Sequence, residues 1–259
     1  MLVIKAVISL MLFEVAFSQV PEMCTSEIYS SDSSYFVVVK GLAYEGYCGK
    51  QQITLRNKHG HKLWQIKESI GNSPIVSNLG DVAICSNKFV FYDKNKKIIG
   101  SFSPDEPNER YWVIEGMSDT YPIYAYSYSG QNFYTILTDE TDNQLVSISR
   151  NGVEEWRVNL LKDSIYTYNI YVYDGGSLIN GTYKSASGRR KDSWTLVNDT
   201  GEVIASYELS HSNLWNPKID NSKKELSIIE SDSVRIFNLD SGLLIKTLPR
   251  ETKLKHLKK

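Results

Sequence analysis

The stretch Ser233–Leu248, SVRIFNLDSGLLIKTL, sets the pattern for the whole chain. An apolar run leads into a short turn of Asn, Asp, Ser and Gly, and a second apolar run follows: a β-hairpin. Runs of this kind suit a half-buried pleated surface. Asn, Asp and Gly tolerate the positive φ that a tight hairpin turn requires. The arrangement occurs four more times upstream. Ile53–Ile66 is ITLRNKHGHKLWQI, Phe89–Phe102 is FVFYDKNKKIIGSF, Leu145–Val158 is LVSISRNGVEEWRV and Trp194–Leu209 is WTLVNDTGEVIASYEL. Gly60, Gly152, Gly201 and Gly242 take matching turn positions, and Lys96 stands in that place in the second copy. The steps between them are about 36, 56, 49 and 41 residues, in the range of four-stranded propeller blades with insertions.

The last copy in full, Asn216–Leu248, is NPKIDNSKKELSIIESDSVRIFNLDSGLLIKTL. It resembles one blade of a β-propeller of the WD-repeat or quinoprotein-repeat type. The polar NPKIDNSKKE corresponds to a turn into the second strand, and LSIIE, SVRIF and LLIKTL to three successive strands. RNGVEEWRV and NDTGEVIASY resemble the quinoprotein repeat, in which aliphatic residues and often Trp follow the turn glycine. The chain departs from these patterns too: it has no Trp–Asp dipeptide, and the second copy lacks the turn glycine. The resemblance spans about Ser33 to Leu248 and implies an all-β fold, a β-propeller of about five four-stranded blades. The long interval leading to the third copy leaves room for a sixth. The alternative is a β-sandwich, which also has many short strands with regular turns.

A chain of 259 residues can hold one sizeable core. The expected organisation is a signal peptide at 1–18, an irregular segment at 19–32, one propeller domain at 33–249 and a basic tail at 250–259. Lys5 followed by the apolar Ala6–Phe17 has the layout of a secretory signal, and Ala16–Phe17–Ser18 fits a small-residue cleavage site before Gln19. Glu14 runs against that reading. The apolar run is shorter than the ~20 residues of a membrane span. The mature protein is therefore expected to be secreted or periplasmic, with no transmembrane span. Lys and Arg number 29 against 30 Asp and Glu, so nothing points to a nucleic-acid partner.

Secretion colours the cysteines. Cys24 and Cys48 are the expected disulfide, stapling the mature N-terminal segment to the first blade, while Cys85 in the apolar VAICS is expected to be a small buried hydrophobe. Asn180 and Asn198 head glycosylation sequons that matter in a eukaryotic source.

Aromatic residues crowd Tyr111–Leu137. Tyr124, Tyr126 and Tyr128 alternate, so a strand would place them on one face, with Trp112 nearby. Aromatic area with a hydroxyl tip suits a sugar or peptide surface, and it equally suits packing between blades. Asp139, Glu140 and Asp142 in TDETDN offer oxygen ligands for calcium, without the glycine or terminal Glu of an EF-hand loop, so a hydrated turn is the simpler reading.

The four histidines, His59, His61, His211 and His256, lie in no nucleophile or zinc-protease motif. Phosphate-cradling glycine motifs are absent, and no cofactor is expected. Asp174 and Asp220 are possible acids for glycoside hydrolysis, each also explained as turn chemistry. The favoured expectation is a non-catalytic scaffold, a monomer or complex subunit that binds a protein or carbohydrate ligand through its loops. The alternatives are a carbohydrate-active enzyme with carboxylates at a central channel and a structural component of an envelope or extracellular complex.

Overall fold

The computed structural model describes residues 23–44, 47–67, 73–85, 88–104, 110–111, 123–138, 143–160, 165–184, 190–209, 217–230 and 233–249. Blade 1 comprises β1 (Met23–Tyr29), β2 (Tyr35–Tyr44), β3 (Tyr47–Asn57) and β4 (Lys62–Ile66). Blade 2 comprises β5 (Ile75–Val76), β6 (Val82–Cys85), β7 (Phe89–Tyr92) and β8 (Ile98–Phe102). Blade 3 contains a two-residue strand β9 (Arg110–Tyr111), then β10 (Tyr124–Tyr126), β11 (Asn132–Thr138), β12 (Asn143–Ser149) and β13 (Glu154–Leu160). Blade 4 comprises β14 (Ile165–Tyr173), β15 (Gly176–Lys184), β16 (Arg190–Asn198) and β17 (Val203–Leu209). Blade 5 comprises β18 (Lys218–Asp220), β19 (Glu225–Ile229), β20 (Ser233–Asn238) and β21 (Leu244–Pro249).

Each blade is an antiparallel meander in chain order, and β9 shares one edge of β11 with β10. Five separate four-stranded meanders, with no helix among the described residues, are the five-bladed propeller expected and not a sandwich. The long interval leading to the third copy carries β9 before β10; no sixth sheet occurs among the described residues. Met23–Tyr29 corrects one expectation. Placed in an irregular segment by its polarity, it is the first strand of blade 1, paired along its length with β2. Its outward positions Thr25, Ser26 and Glu27 are exposed, which is why no apolar alternation marked it. It completes its own blade, not the last one.

The third and fourth strands of every blade meet in the same device. Their register slips by one residue at Leu55/Arg56, Phe91/Tyr92, Ser147/Ile148, Leu196/Val197 and Ile236/Phe237. A bulge of this kind bends the hairpin and raises its twist. The turn residue just before the outer strand has positive φ in all five: Gly60 at 80°, Lys96 at 69°, Gly152 at 85°, Gly201 at 84° and Gly242 at 67°. Lys96 thus adopts the glycine conformation, as its place in the repeat predicts. The residue that opens the turn closes it with its side chain. Asn57 Oδ1 accepts the His59 and His61 amides, Asp93 Oδ1 those of Asn95 and Lys97, and Asn198 Oδ1 those of Thr200 and Glu202.

The core is divided into four clusters, each between consecutive blades. Val37, Val39, Ile53, Leu55 and Trp64 of blade 1 meet Val76 and Val82 of blade 2. Phe89 and Phe91 of blade 2 meet Phe133, Val146 and Ile148 of blade 3. Tyr134, Ile136 and Leu145 of blade 3 meet Ile179 and Val197 of blade 4, and Leu178, Trp194 and Leu196 of blade 4 meet Leu226, Ile228 and Phe237 of blade 5. Alternation along each strand sends successive residues to the preceding and following neighbour. That is why both faces of the middle strands are apolar.

Candidate functional site

In a meander the turn after the first strand and the turn after the third lie at the same end. All ten such turns therefore collect on one face of the propeller, and hydrogen bonds tie them together. Within a blade, the second residue of the outer turn donates its amide to the inner turn: Lys58 to Ser34 O at 2.8 Å, Arg150 to Gln131 O and Asp199 to Gly175 O at 3.1 Å each, and Leu239 to Lys224 O at 2.9 Å. Between blades, Asn78 is the hub. Its Oδ1 accepts from Ser31 Oγ and the Asp32 amide of blade 1, each at 3.0 Å, while its Nδ2 donates to Tyr128 O of blade 3 at 2.7 Å. On the far side Asn221 Oδ1 accepts the Asp174 amide, and Lys224 Nζ donates to Asp174 O at 2.7 Å.

The outer strands of blades 1, 3 and 4 also touch the next blade's outer turn. Trp64 Nε1 donates to Asp93 O at 3.1 Å, Trp156 Nε1 to Asp199 O at 2.9 Å, and the Tyr207 hydroxyl to Gly242 O. At the second junction the backbone itself fills this place. A Cβ on Gly100 would lie 2.2 Å from the Asn151 carbonyl carbon, and one on Gly152 would lie 2.3 Å from Ser101 O.

One concavity opens on this face, about 300 Å³ between blades 2 and 3, lined by Leu79, Asp81, Asp93, Lys94, Asn95, Gln131 and Arg150. Its wall is an ion pair. Arg150 donates from Nε and Nη2 to the two oxygens of Asp81, at 2.5 and 2.9 Å. The Asp81 side chain is 1% exposed and that of Arg150 40%, so the carboxylate is sealed by its partner while the guanidinium stays reachable from the concavity. A bidentate fork of this kind fixes orientation as well as charge. Contact with Asp81 holds the guanidinium's pKa above its ordinary value. Behind the pair lies the buried Tyr126, whose hydroxyl has no hydrogen-bond partner among the described residues. Burial pushes its pKa well up; the Asp81 charge adds to this and Arg150 opposes it.

The residues singled out in the sequence fall as follows. Tyr126 is buried edge-on to Phe133, at 5.6 Å between ring centroids. Tyr124 stacks on Phe133 at 5.8 Å, sets its edge against Phe89 at 5.1 Å, and donates its hydroxyl to Ser73 O. Both serve the junction of blades 2 and 3 instead of an exposed patch. Tyr128 is half-buried in the inner turn, where the concavity's neighbour Asn78 holds its carbonyl. Trp112, Asp139, Glu140 and Asp142 lie outside the described residues, and so does the Cys48 side chain. Cys24 is disulfide-bonded, and Cys85 is buried at 1% exposure, as expected of a small hydrophobe. Asn180 is buried in β15 and donates to Ser193 O at 3.3 Å, whereas Asn198 stands at a turn.

His59 and His61 are exposed with ring centroids 6.2 Å apart, and no group of three potential metal ligands occurs among the described residues. Asp174 lies in the inner turn of blade 4, and Asp220 ends β18 just before the inner turn of blade 5. Hydrogen bonds from Ser222 and then Lys223 hold the Asp220 pKa down to about 2. Asp81 and Arg150, 69 residues apart, went unnoticed in the sequence. Asp81 follows the positive-φ Gly80 of an inner turn and Arg150 precedes the positive-φ Gly152 of an outer turn, and no spacing within one repeat links the two.

The solved structures that this chain resembles include WD40 propellers. Hsv2 from Kluyveromyces lactis superposes with a TM-score of 0.50 at 11% identity, covering 87% of this chain and 63% of that one. The WD40 domain of SCAP from fission yeast gives 0.51 at 10% identity, covering 89% and 56%. The chain thus spans about three-fifths of the length of these propellers. No protein-family model matches the sequence, and neither does any curated protein sequence. The fold is a β-propeller, as in these structures.

Proposed function

We propose that this chain is a secreted, non-catalytic interaction scaffold that binds a protein partner on its turn-bearing face. The observation that carries this reading is the concavity between blades 2 and 3. It is walled by a bidentate ion pair, floored by turns that are hydrogen-bonded within and between blades, and offers reachable polar groups from Lys94, Asn95, Gln131 and Arg150. Preorganised turns lose little entropy on binding, and an Arg set among polar groups is a common anchor in protein interfaces. The WD40-type neighbours agree with such a role at the level of fold.

Secretion rests on the sequence of residues 1–18, with the disulfide at Cys24 agreeing with an oxidising compartment. We assign Cys48 as the partner of Cys24. Mass analysis of the secreted protein is expected to give Gln19 as the first residue and a Cys24–Cys48 peptide that separates on reduction.

The binding role is tested by cross-linking the protein in its native extracellular fluid, comparing the wild type with Lys94→Glu/Gln131→Arg and with the outer-strand variant Ile98→Asp. A partner kept by the wild type and Ile98→Asp but lost by the double variant supports the turn-bearing face. Loss with Ile98→Asp alone places the contact on the outer rim and refutes the assignment.

A further inference from the structure

The turn-bearing face is electrically divided, and the division runs between blades 3 and 4. In the turns of blades 2 and 3 both carboxylates are spent on the fold. Asp81 is sealed under Arg150, and Asp93 Oδ1 takes the amides of Asn95 and Lys97. Just past the outer turn of blade 3, Glu154 pairs with Arg157 at 2.7 Å, and Glu155 accepts from Asn132 Nδ2 at 2.6 Å. The cations of the same turns are not spent. Lys94 and Lys97 are exposed and have no ion-pair partner among the described residues. Arg150 meets Asp81 through Nε and Nη2, which leaves Nη1 without an acceptor among the described residues.

Blades 4 and 5 reverse the arrangement. The side chains of Asp174 and Asp240 are 63% and 64% exposed, and Asp199 and Glu202 are exposed as well. Here the cations are the neutralised groups. Lys224 lies 3.7 and 4.0 Å from the carboxylates of Asp174 and Asp240, and Lys223 pairs with Asp220 at 3.2 Å. A charged segment approaching this face therefore meets uncompensated cations over blades 2 and 3 and exposed carboxylates over blades 4 and 5. The concavity lies on the cationic side. Asp93 lines it too, half-buried and engaged with its own turn, so Lys94 and Arg150 are the charges that an entering group meets.

We propose that the protein partner enters this concavity with an acidic segment, a Glu or Asp carboxylate docking on the unused Nη1 of Arg150 beside Lys94. The inference rests on the turn-bearing face as the partner's docking surface. A carboxylate placed there completes the hydrogen bonding of a guanidinium whose orientation Asp81 already fixes, so little side-chain entropy is lost. Lys94 and Lys97 steer the segment to this half of the face, and the carboxylates of blades 4 and 5 repel it from the other half. A basic segment would instead set like charge against Arg150 and Lys94.

The test is an NMR titration of the purified, ¹⁵N-labelled protein with acetylated, amidated hexaglutamate, with hexalysine and inorganic phosphate as the other arms. Hexaglutamate is expected to shift the Arg150 Nε–H signal and the amides of Lys94, Asn95 and Gln131, and to do so less as salt rises. Lys94→Ala/Lys97→Ala removes two exposed charges and no core contact, and should weaken binding about fivefold. The near-isosteric Gln131→Glu should weaken it too, whereas Asp174→Asn/Asp240→Asn should leave the affinity undiminished. Hexalysine shifting these signals more strongly than hexaglutamate would overturn the proposal. So would shifts centred on blades 4 and 5, or a Lys94→Ala/Lys97→Ala protein that binds like the wild type. Inorganic phosphate matching hexaglutamate at equal charge would also overturn it, marking an ion site and not a peptide site. The native partner is absent from this titration, so its failure stands apart from that of the docking face, which the cross-linking pattern of Ile98→Asp decides.

Discussion

The junction between blades 2 and 3 and the outward side of blade 5 are built from equivalent positions of one repeat, yet they differ in almost every physical respect. At the first, Phe89, Phe91 and Phe133 are buried with ring centroids 4.6 and 5.1 Å apart, Asp81 is sealed by Arg150, and glycine backbone touches backbone. At the second, Lys246 takes the place of Gly100, and Leu244, Ile245 and Leu248 stand exposed. The strand and turn codes are the same in both. Among the described residues, a core cluster joins the first to a following blade and none covers the second. A blade therefore derives its hydrogen bonding from its own hairpins and its burial from its neighbours, as expected of a repeat architecture.

The largest effect separating the two regions should come from alkali. Burial first, and then nearby carboxylates, raise the pKa of Tyr126, Tyr134 and Tyr173, one at each of three consecutive junctions. For Tyr134 and Tyr173 the carboxylate is Asp199. Their folded pKa values lie above the unfolded value of 10.0, so the stability they hold is complete below pH 10 and lost as pH rises through the folded values. Each group costs up to about 1.4 kcal/mol per pH unit in that range. Unfolding above pH 10 should coincide with tyrosinate absorbance; early absorbance from these three in the folded state would contradict their burial.

Next in size is the core. Phe133→Ala should cost about 3–5 kcal/mol, whereas Leu248→Ala, on the outward side of blade 5, should stay within about 0.5 kcal/mol in denaturant titrations. Arg150→Ala should cost about 3 kcal/mol, the low end for a buried carboxylate left unpaired because the guanidinium is partly solvated. Lys246→Ala should be silent in the isolated chain. Among the junction substitutions the smallest loss is that of Gly100→Ala. Its added methyl meets Asn151 backbone and should cost about 1–3 kcal/mol by overpacking, with the outer turn of blade 3 losing exchange protection. Equal losses at the blade 5 positions would erase the contrast.

Much of this architecture was legible from the chain. Four glycines and the lone Lys96 marked the five outer turns, because only residues that tolerate positive φ close such a hairpin. Trp64 and Trp156 were visible as repeat features, though not as donors to the next turn. The first strand was missed because its partners lie on one side only, leaving Thr25, Ser26 and Glu27 to solvent. The tyrosine cluster was visible, but its direction was not: alternation places side chains on a face without saying which neighbour covers it. The concavity was invisible for a further reason. Asp81 and Arg150 meet only when two blades are stacked, and spacing within one repeat carries no trace of that contact.

The most direct measurement is a double-mutant cycle between Asp81→Asn and Arg150→Gln, read as unfolding free energies. Residues 69 apart in sequence should couple only if the inner turn of blade 2 lies against the outer turn of blade 3. The stacked-blade account predicts a coupling of about 1–3 kcal/mol, while effects that add to within about 0.3 kcal/mol would contradict it.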